Sequence, residues 1–275
     1  MPLVAITREM GSLGKDVADG LSEALNIPLY YHEVADHLAD RMRVRKSHVI
    51  RLLDGKANLL ERLTADKTSL SIFTADEIFS IAARAGGAVI RGWGATHLLR
   101  EVAHAVCVRV CAPFELRRDR MLDRLATDDV ERVEEEIRFN DEAHSAIMRR
   151  HFGIQWTDAE HYDVVINTKR VPIDKCVEEV LALTRLAQFK ESERSLQKLD
   201  DLVLAARVRA ALRRVPETRE AKVLVASDAG RVTLSGASNT DEMLAFVEVA
   251  SSVPGVQDVA YRAHAAEDAL RPRFH

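Results

Sequence analysis

The chain has 275 residues, 47% of them hydrophobic and 30% charged, with a formal net charge of -4. That length predicts one large domain or two modest ones, in the composition range of a soluble globular protein. The negative balance excludes non-specific nucleic-acid binding through bulk charge, so no nucleic-acid partner is expected. No stretch approaches the ~20 apolar residues of a membrane span, and no basic leader precedes an apolar run, so a cytoplasmic protein without a transmembrane segment is expected. Cys107, Cys111 and Cys176 have neither metal-ligand nor redox spacing. They read as buried thiols in a reducing compartment.

In chain order, a short apolar strand, Leu3 to Thr7, runs into Arg8-Glu9-Met10-Gly11-Ser12-Leu13-Gly14-Lys15-Asp16. An amphipathic helix with Val17, Ala18, Leu21, Ala24 and Leu25 on one face runs out of it. Strand, glycine loop, lysine and helix form the arrangement that cradles a phosphate. The usual phosphate loop reads G-x-x-x-x-G-K-[ST]; here Glu9 stands at the first glycine and Asp16 at the Ser/Thr. Asn26 is the expected C-cap, with Pro28 beyond it, and Leu29-Tyr30-Tyr31 is β-prone. Residues 33–63 read as helical and carry Arg41, Arg43, Arg45, Lys46 and Arg51, a phosphate or substrate surface or else a solvated helix face. His32 and His37 are five apart, poor spacing for two ligands on one helical face, and no metal site is proposed there.

Thr74-Ala75-Asp76-Glu77 has the pattern of a capping box and predicts a helix that starts there and stops at Gly86-Gly87. Ala88 to Ile90 follows as a buried strand, and Gly92-Trp93-Gly94 turns the chain into a further helix. Ala105 to Ala112 is a nearly continuous apolar run, the pattern of a central parallel strand. Pro113 suits the first turn of a helix carrying Arg117, Arg118, Arg120 and Arg124. A long charged helix over about 129–151 ends at Gly153, Tyr162 to Asn167 is the next strand, and Pro172 opens another helix. Strands alternating with helices over 1–187 predict a three-layer α/β domain with a parallel sheet. Residues 188–199 read as a polar linker with helical character. Residues 200–264 read as a small α+β domain of two helices and three strands, and 265–275 as a loose tail.

Two resemblances follow. T-R-E-M-G-S-L-G-K at 7–15, V-I-R-G-W-G-A at 89–95, C-A-P-F-E-L-R-x-x-R at 111–120 and F-G-I-Q-W…Y-D-V-V-I-N-T at 152–168 occur in the order of the cytidylate-kinase-like family, and residues 3–187 resemble it. This implies a P-loop, nucleoside-monophosphate-kinase-like fold. D-A-G-R-V-T-L-S-G at 228–236 and V-P-G-V-Q-D-V at 253–259, preceded by a helix through A-A-L at 210–212, resemble a BON module. Such modules imply a docking or binding role, for phospholipid or another ligand.

The first resemblance implies ATP and Mg²⁺ as cofactors and a nucleotide as partner. Gly11, Ser12, Leu13, Gly14, Lys15 and Asp16 are then the cofactor-binding loop, with Lys15 on the β/γ oxygens and Asp16 in the place of the hydroxyl that ligates Mg²⁺. Arg117, Arg120 and Arg124 share one helix face where the family has a lid, either to stabilise the transferring phosphoryl group or to pair with the acidic run Glu131, Glu134, Glu135 and Glu136. Arg8 either pairs with Glu9 or faces a phosphate. With Arg8, the candidate substrate contacts are Arg41, Trp93 and Arg138. Family members commonly place an arginine between the glycines of the 92–94 turn, where Trp93 stands, and carry D-x-x-R in the long helix, where Asp141-Glu142-Ala143-His144 stands. Arg138, Arg149 and Arg150 lie near enough in sequence to substitute. Two functions follow: an ATP-dependent nucleoside-monophosphate kinase, with CMP as the first acceptor to consider, or a nucleotide-binding regulator with little or no transfer. Oligomeric state is left open, a homo-oligomer included.

Overall fold

The computed structural model describes residues 2–31, 38–39, 45, 47, 67–84, 86–92, 94–220, 222–236 and 239–263. The helical reading of 33–63, with Arg41, falls almost wholly outside them, as do Trp93 and the tail. The chain divides into two compact units, residues 1–67 with 84–195, and residues 68–83 with 196–275.

The first unit is built on five parallel strands in the order β2-β3-β1-β4-β5. They are β1 (Leu3–Arg8), β2 (Leu29–Tyr30), β3 (Ala88–Arg91), β4 (Ala105–Cys111) and β5 (Val164–Asn167). Helices α1 (Gly14–Leu25) and α6 (Ile173–Arg185) cover one face. Val4, Ile6, Val89, Val106, Val108 and Val110 meet Val17, Leu21 and Val180 there. This all-parallel sheet with near-continuous apolar strands is the α/β architecture expected from the sequence. On the other face, α3 (Ala95–Leu98) takes a hydrogen bond from the Cys107 thiol, Sγ to Thr96 O at 3.2 Å. Burial and the nearby Asp163 carboxylate raise the pKa of that thiol. The helices α4 (Phe114–Leu125) and α5 (Val130–Phe152) complete the unit. Neighbouring β1 and β4 lead to strands on opposite sides, so the crevice beyond their carboxyl ends is the topological switch point where open α/β sheets bind ligands.

The second unit has α7 (Glu193–Arg214), α8 (Thr240–Ser251) and three strands, β6 (Leu224–Asp228), β7 (Arg231–Gly236) and β8 (Asp258–Ala263). β6 and β7 form an antiparallel hairpin, and β8 lies parallel to β7. Leu204, Val208, Leu212, Val232, Leu234 and Phe246 form its core. The hairpin turns at Ala229 (φ 47°) and Gly230 (φ 83°), and Asp201 accepts from Ala229 N at 2.8 Å.

Residues 193–199, read as part of a linker with helical character, form the start of α7. One local expectation is corrected. Thr74 does not cap a helix: α2 (Lys67–Ala82) runs straight through it, and its hydroxyl bonds back to Leu70 O at 2.7 Å, one turn earlier. The capping box sits instead at Asn239 and Glu242 and opens α8. Finally, most of α2 belongs to the second compact unit although its sequence lies inside 1–187. Arg213 Nε donates to Ser69 Oγ at 2.7 Å, and the Arg214 guanidinium lies 5.4 Å from the Phe73 ring centre.

Candidate active site

The glycine loop hangs from the end of β1, and strand alternation decides what flanks it. Successive residues point to opposite faces, so Arg8 lies on the α1 face and Glu9 on the other. Glu9 therefore does not pair with Arg8. Its Oε1 takes a 2.6 Å bond from Arg109 Nη2, and its Oε2 takes one from Ala112 N at 3.1 Å. Arg117 Nε stands 3.6 Å from the same carboxylate. Among the described residues Arg8 has no ion pair. Glu9, at the position of the usual first glycine, is a strut that ties the loop to β4 and α4.

Gly11 and Gly14 are required for different reasons. Gly11 has φ 79°, and a Cβ there would come 2.7 Å from Arg117 O. A Cβ on Gly14 would come 2.5 Å from Arg8 Cβ. Between them, Ser12 is fully buried, with its hydroxyl donating to Val110 O at 3.1 Å and its N–H to Glu9 O at 3.1 Å. Both Ser12 donors are thus spent, one on β4 and one within the loop. Leu13 adopts φ 62° as the N-cap of α1, and no side chain caps that helix. The N–H groups of Gly14, Lys15 and Asp16 open the helix and have no intrahelical acceptor, which leaves partial positive charge at this end. Lys15 and Asp16 are exposed, and Lys15 makes no ion pair among the described residues.

The three arginines of α4 do different things. Arg117 is buried and donates two bonds to Asp141, at 3.1 and 2.8 Å, and one to Met10 O at 3.3 Å. It is committed to scaffolding the loop. Arg120 donates to Gly11 O (3.4 Å), Thr168 Oγ1 (2.9 Å) and Thr168 O (2.9 Å), and Thr168 Oγ1 donates to Ser12 O at 2.8 Å. Desolvation lowers the pKa of Arg120, and the Asp16 carboxylate opposes that. Arg124 is exposed and without an ion pair among the described residues. The alternative of pairing with the acidic run belongs to their neighbours, Arg118 and Arg138, which reach Glu134 at 3.3 and 3.0 Å. Arg138 also lies 4.4 Å over the ring of Phe114, which packs in one apolar cluster with Met10 of the loop. Arg149 and Arg150 are exposed.

His144 packs its ring 4.2 Å from Trp156, whose indole is in turn 5.1 Å from the Arg109 guanidinium. Burial, then the Arg8 and Arg109 charges, push its pKa down to about 4, so it is neutral at physiological pH. Arg91, to which its place in V-I-R-G-W-G-A gave no role, sits at the end of β3 and is buried, with its guanidinium 3.9 Å over the Tyr31 ring. A charged residue closing an apolar strand was the available signal.

This switch-point loop, with its free helix N-terminus and unpaired lysine, stands on a parallel sheet. The family model for the cytidylate kinase-like family matches residues 3–170. The chain belongs to that family. A BON domain matches residues 200–266, in the same order along the chain. A cytidylate kinase of Methanothermobacter thermautotrophicus is 41% identical over 63 residues; the match spans 23% of this chain and 38% of that relative. An uncharacterized protein from Eubacterium ventriosum has a solved structure that superimposes with TM-score 0.52 at 20% identity, covering 67% of this chain and 98% of that one. That likeness is one of fold. Shikimate kinase from Bacteroides thetaiotaomicron covers 67% of this chain and 99% of its own, with TM-score 0.42 and 13% identity. By the family match, the first unit is a nucleotide kinase-like domain. Among the described residues no helix is long and apolar enough to cross a membrane, and no three His, Cys, Asp or Glu side chains group as metal ligands.

Proposed function

We propose that the cytidylate-kinase-like domain is an ATP-dependent nucleoside-monophosphate kinase of the cytoplasm, and that the BON module docks it to a phospholipid or another ligand. One observation carries the reading. The side chains of Glu9, Ser12, Arg117 and Arg120 all hold the shape of the loop, while its N–H groups at Gly14–Asp16 and the Lys15 ammonium stay uncommitted. A loop braced this firmly around free donors suits a phosphate group.

In that mechanism the N–H groups of Gly14, Lys15 and Asp16 hold the β-phosphate, and Lys15 neutralises the β/γ oxygens. An oxygen of the acceptor phosphate bonds to the γ-phosphorus while the bond to the β–γ bridging oxygen breaks, leaving ADP. Arg124 is the α4 arginine free to offset the charge of the transferring group. The Asp16 carboxylate, exposed on the first turn of α1, is the residue that would hold Mg²⁺, with phosphates and waters as the other ligands. The ion supplies charge neutralisation between phosphates when bound.

A second reading, a nucleotide-binding regulator without transfer, is favoured by the commitment of Arg117 and Arg120 to structure. Titration with ATP and Mg²⁺, followed by transfer assays on CMP and a panel of other monophosphates, separates the two. Transfer to at least one acceptor, with ATP binding abolished by Lys15→Ala, supports the kinase. Lys15-dependent binding with no transfer supports the regulator, and absence of ATP binding overturns both. Co-flotation of the full chain with anionic or neutral vesicles tests the lipid role of the BON module; failure on both points to another ligand.

A further inference from the structure

Arg91 is a charge the fold does not explain. Only 7% of its surface is exposed, and its Nε has no hydrogen-bond partner. Among the described residues it has no ion pair. Buried arginines are ordinarily paired, because an uncompensated buried charge is strongly destabilising. Its observed neighbour is a ring: the guanidinium lies 3.9 Å over Tyr31, which fixes its plane without neutralising it.

The surrounding charges make its position costlier. Arg91 pairs in register with Ile6 across β1 and β3. Arg8 is two residues beyond Ile6, so both arginines point to the α1 face at the carboxyl edge of the sheet. Arg124 on α4 adds a third positive charge. Burial first, and then Arg8, lowers the pKa of Arg91; Arg124 acts in the same direction, while Tyr31 and Asp19 oppose it. Asp19 is exposed on α1 and forms no ion pair with Arg91. The cluster therefore carries an excess of positive charge next to the glycine loop, one strand away from the α1 N-terminus that the donor phosphates would occupy.

We propose that Arg91, with Arg8 beside it at the carboxyl edge of the sheet, is the receptor for the phosphate group of the acceptor. This rests on the kinase reading. The ligand is a phosphate monoester dianion, whose oxygens match the guanidinium fork and whose charge offsets the repulsion among the three cations. Binding at this site is read from the phosphate, not from the base.

The test uses the full-length protein and calorimetric titration with CMP, with cytidine and with a non-hydrolysable ATP analogue. Arg91→Gln is expected to weaken CMP binding at least tenfold, to leave cytidine unchanged and to keep the ATP analogue within twofold. Arg91→Lys is expected to fall between the two proteins. Because the native charge is unpaired, Arg91→Gln is expected to melt at the same temperature as the wild type or higher, the opposite of what a structural ion would show. Unchanged CMP affinity in Arg91→Gln, an equal loss for the ATP analogue, or a lowered melting temperature overturns the assignment and leaves the kinase reading standing. A wild-type protein that binds neither CMP nor the ATP analogue overturns both.

Discussion

The two faces of the sheet at the end of β1 use charge in opposite ways. On the Glu9 side the charges alternate in sign and are paired: Glu9 with Arg109 at 2.6 Å, and Arg117 with Asp141 at 2.8 Å. On the Arg8 side, Arg8 and Arg91 share one sign and make no ion pair among the described residues, and the Arg124 charge repels Arg91 as well. Neighbouring residues of one strand thus feed two different environments. The paired side holds the loop in place. The like-charged side is unfavourable for folding until an anion arrives. Charge that is paired inside the protein reports on structure, and charge left unpaired beside a loop of free N–H groups reports on a ligand.

Breaking the paired side should have the largest effect. Glu9→Gln leaves Arg109 buried without its counter-ion, and a loss of about 3 kcal/mol in chemical denaturation is expected. A loss below about 1 kcal/mol would show that the pair is not a strut. Acid should act on the same side through His144. Its pKa is pushed down to about 4 from an ordinary 6.5 by burial, so the unfolded chain binds the proton more readily than the folded one. The stability it contributes is complete above pH 6.5 and is lost as pH falls towards 4, by about 3 kcal/mol. His97 and His104, also depressed by burial, add in the same direction. His144→Gln should therefore flatten this acid limb in part, as read by denaturation at a series of pH values.

Smaller effects sharpen the contrast. Gly11→Ala forces a side chain into φ 79° against Arg117 O, and a loss of about 1–2 kcal/mol is expected together with weakened ATP binding. Lys15→Ala, on the uncommitted side, should change stability by less than about 0.5 kcal/mol while abolishing ATP binding. A large stability loss in Lys15→Ala would mean that the lysine is structural and would erase the distinction between the two faces.

Much of this was legible in the residues. The loop and its flanking elements, the continuous apolar run of β4 and the D-x-G-x-V-x-L-x-G hairpin were all readable because they depend on local periodicity and turn chemistry. The start of α2 was not. Thr74-x-x-Glu77 has the composition of a capping box, but Thr74, Asp76 and Glu77 are all buried, and packing carries the helix through a sequence that alone would begin one. Asn239-x-x-Glu242 has an equivalent pattern and does cap, with its first turn facing solvent. Membership of α2 in the second unit was equally invisible, since its partners are distant in sequence: Arg213 donates to Ser69 at a separation of 144 residues.

The glycine loop marks where sequence ends and tertiary structure takes over. Sequence by itself determined the strand, glycine loop and helix in their order, the glycines the loop needs, and the family; the strand's extension to Arg8, which sends Arg8 and Glu9 to opposite faces, came with the fold. Only the folded chain decided which cations are spent. Arg109 meets Glu9 across 100 residues and Arg117 meets Asp141 across 24, whereas Arg91 meets an aromatic ring. Periodicity is a short-range property, written in neighbouring residues. An ion pair depends on two distant side chains arriving within about 3 Å, and that is set by the packing of the whole sheet and its helices.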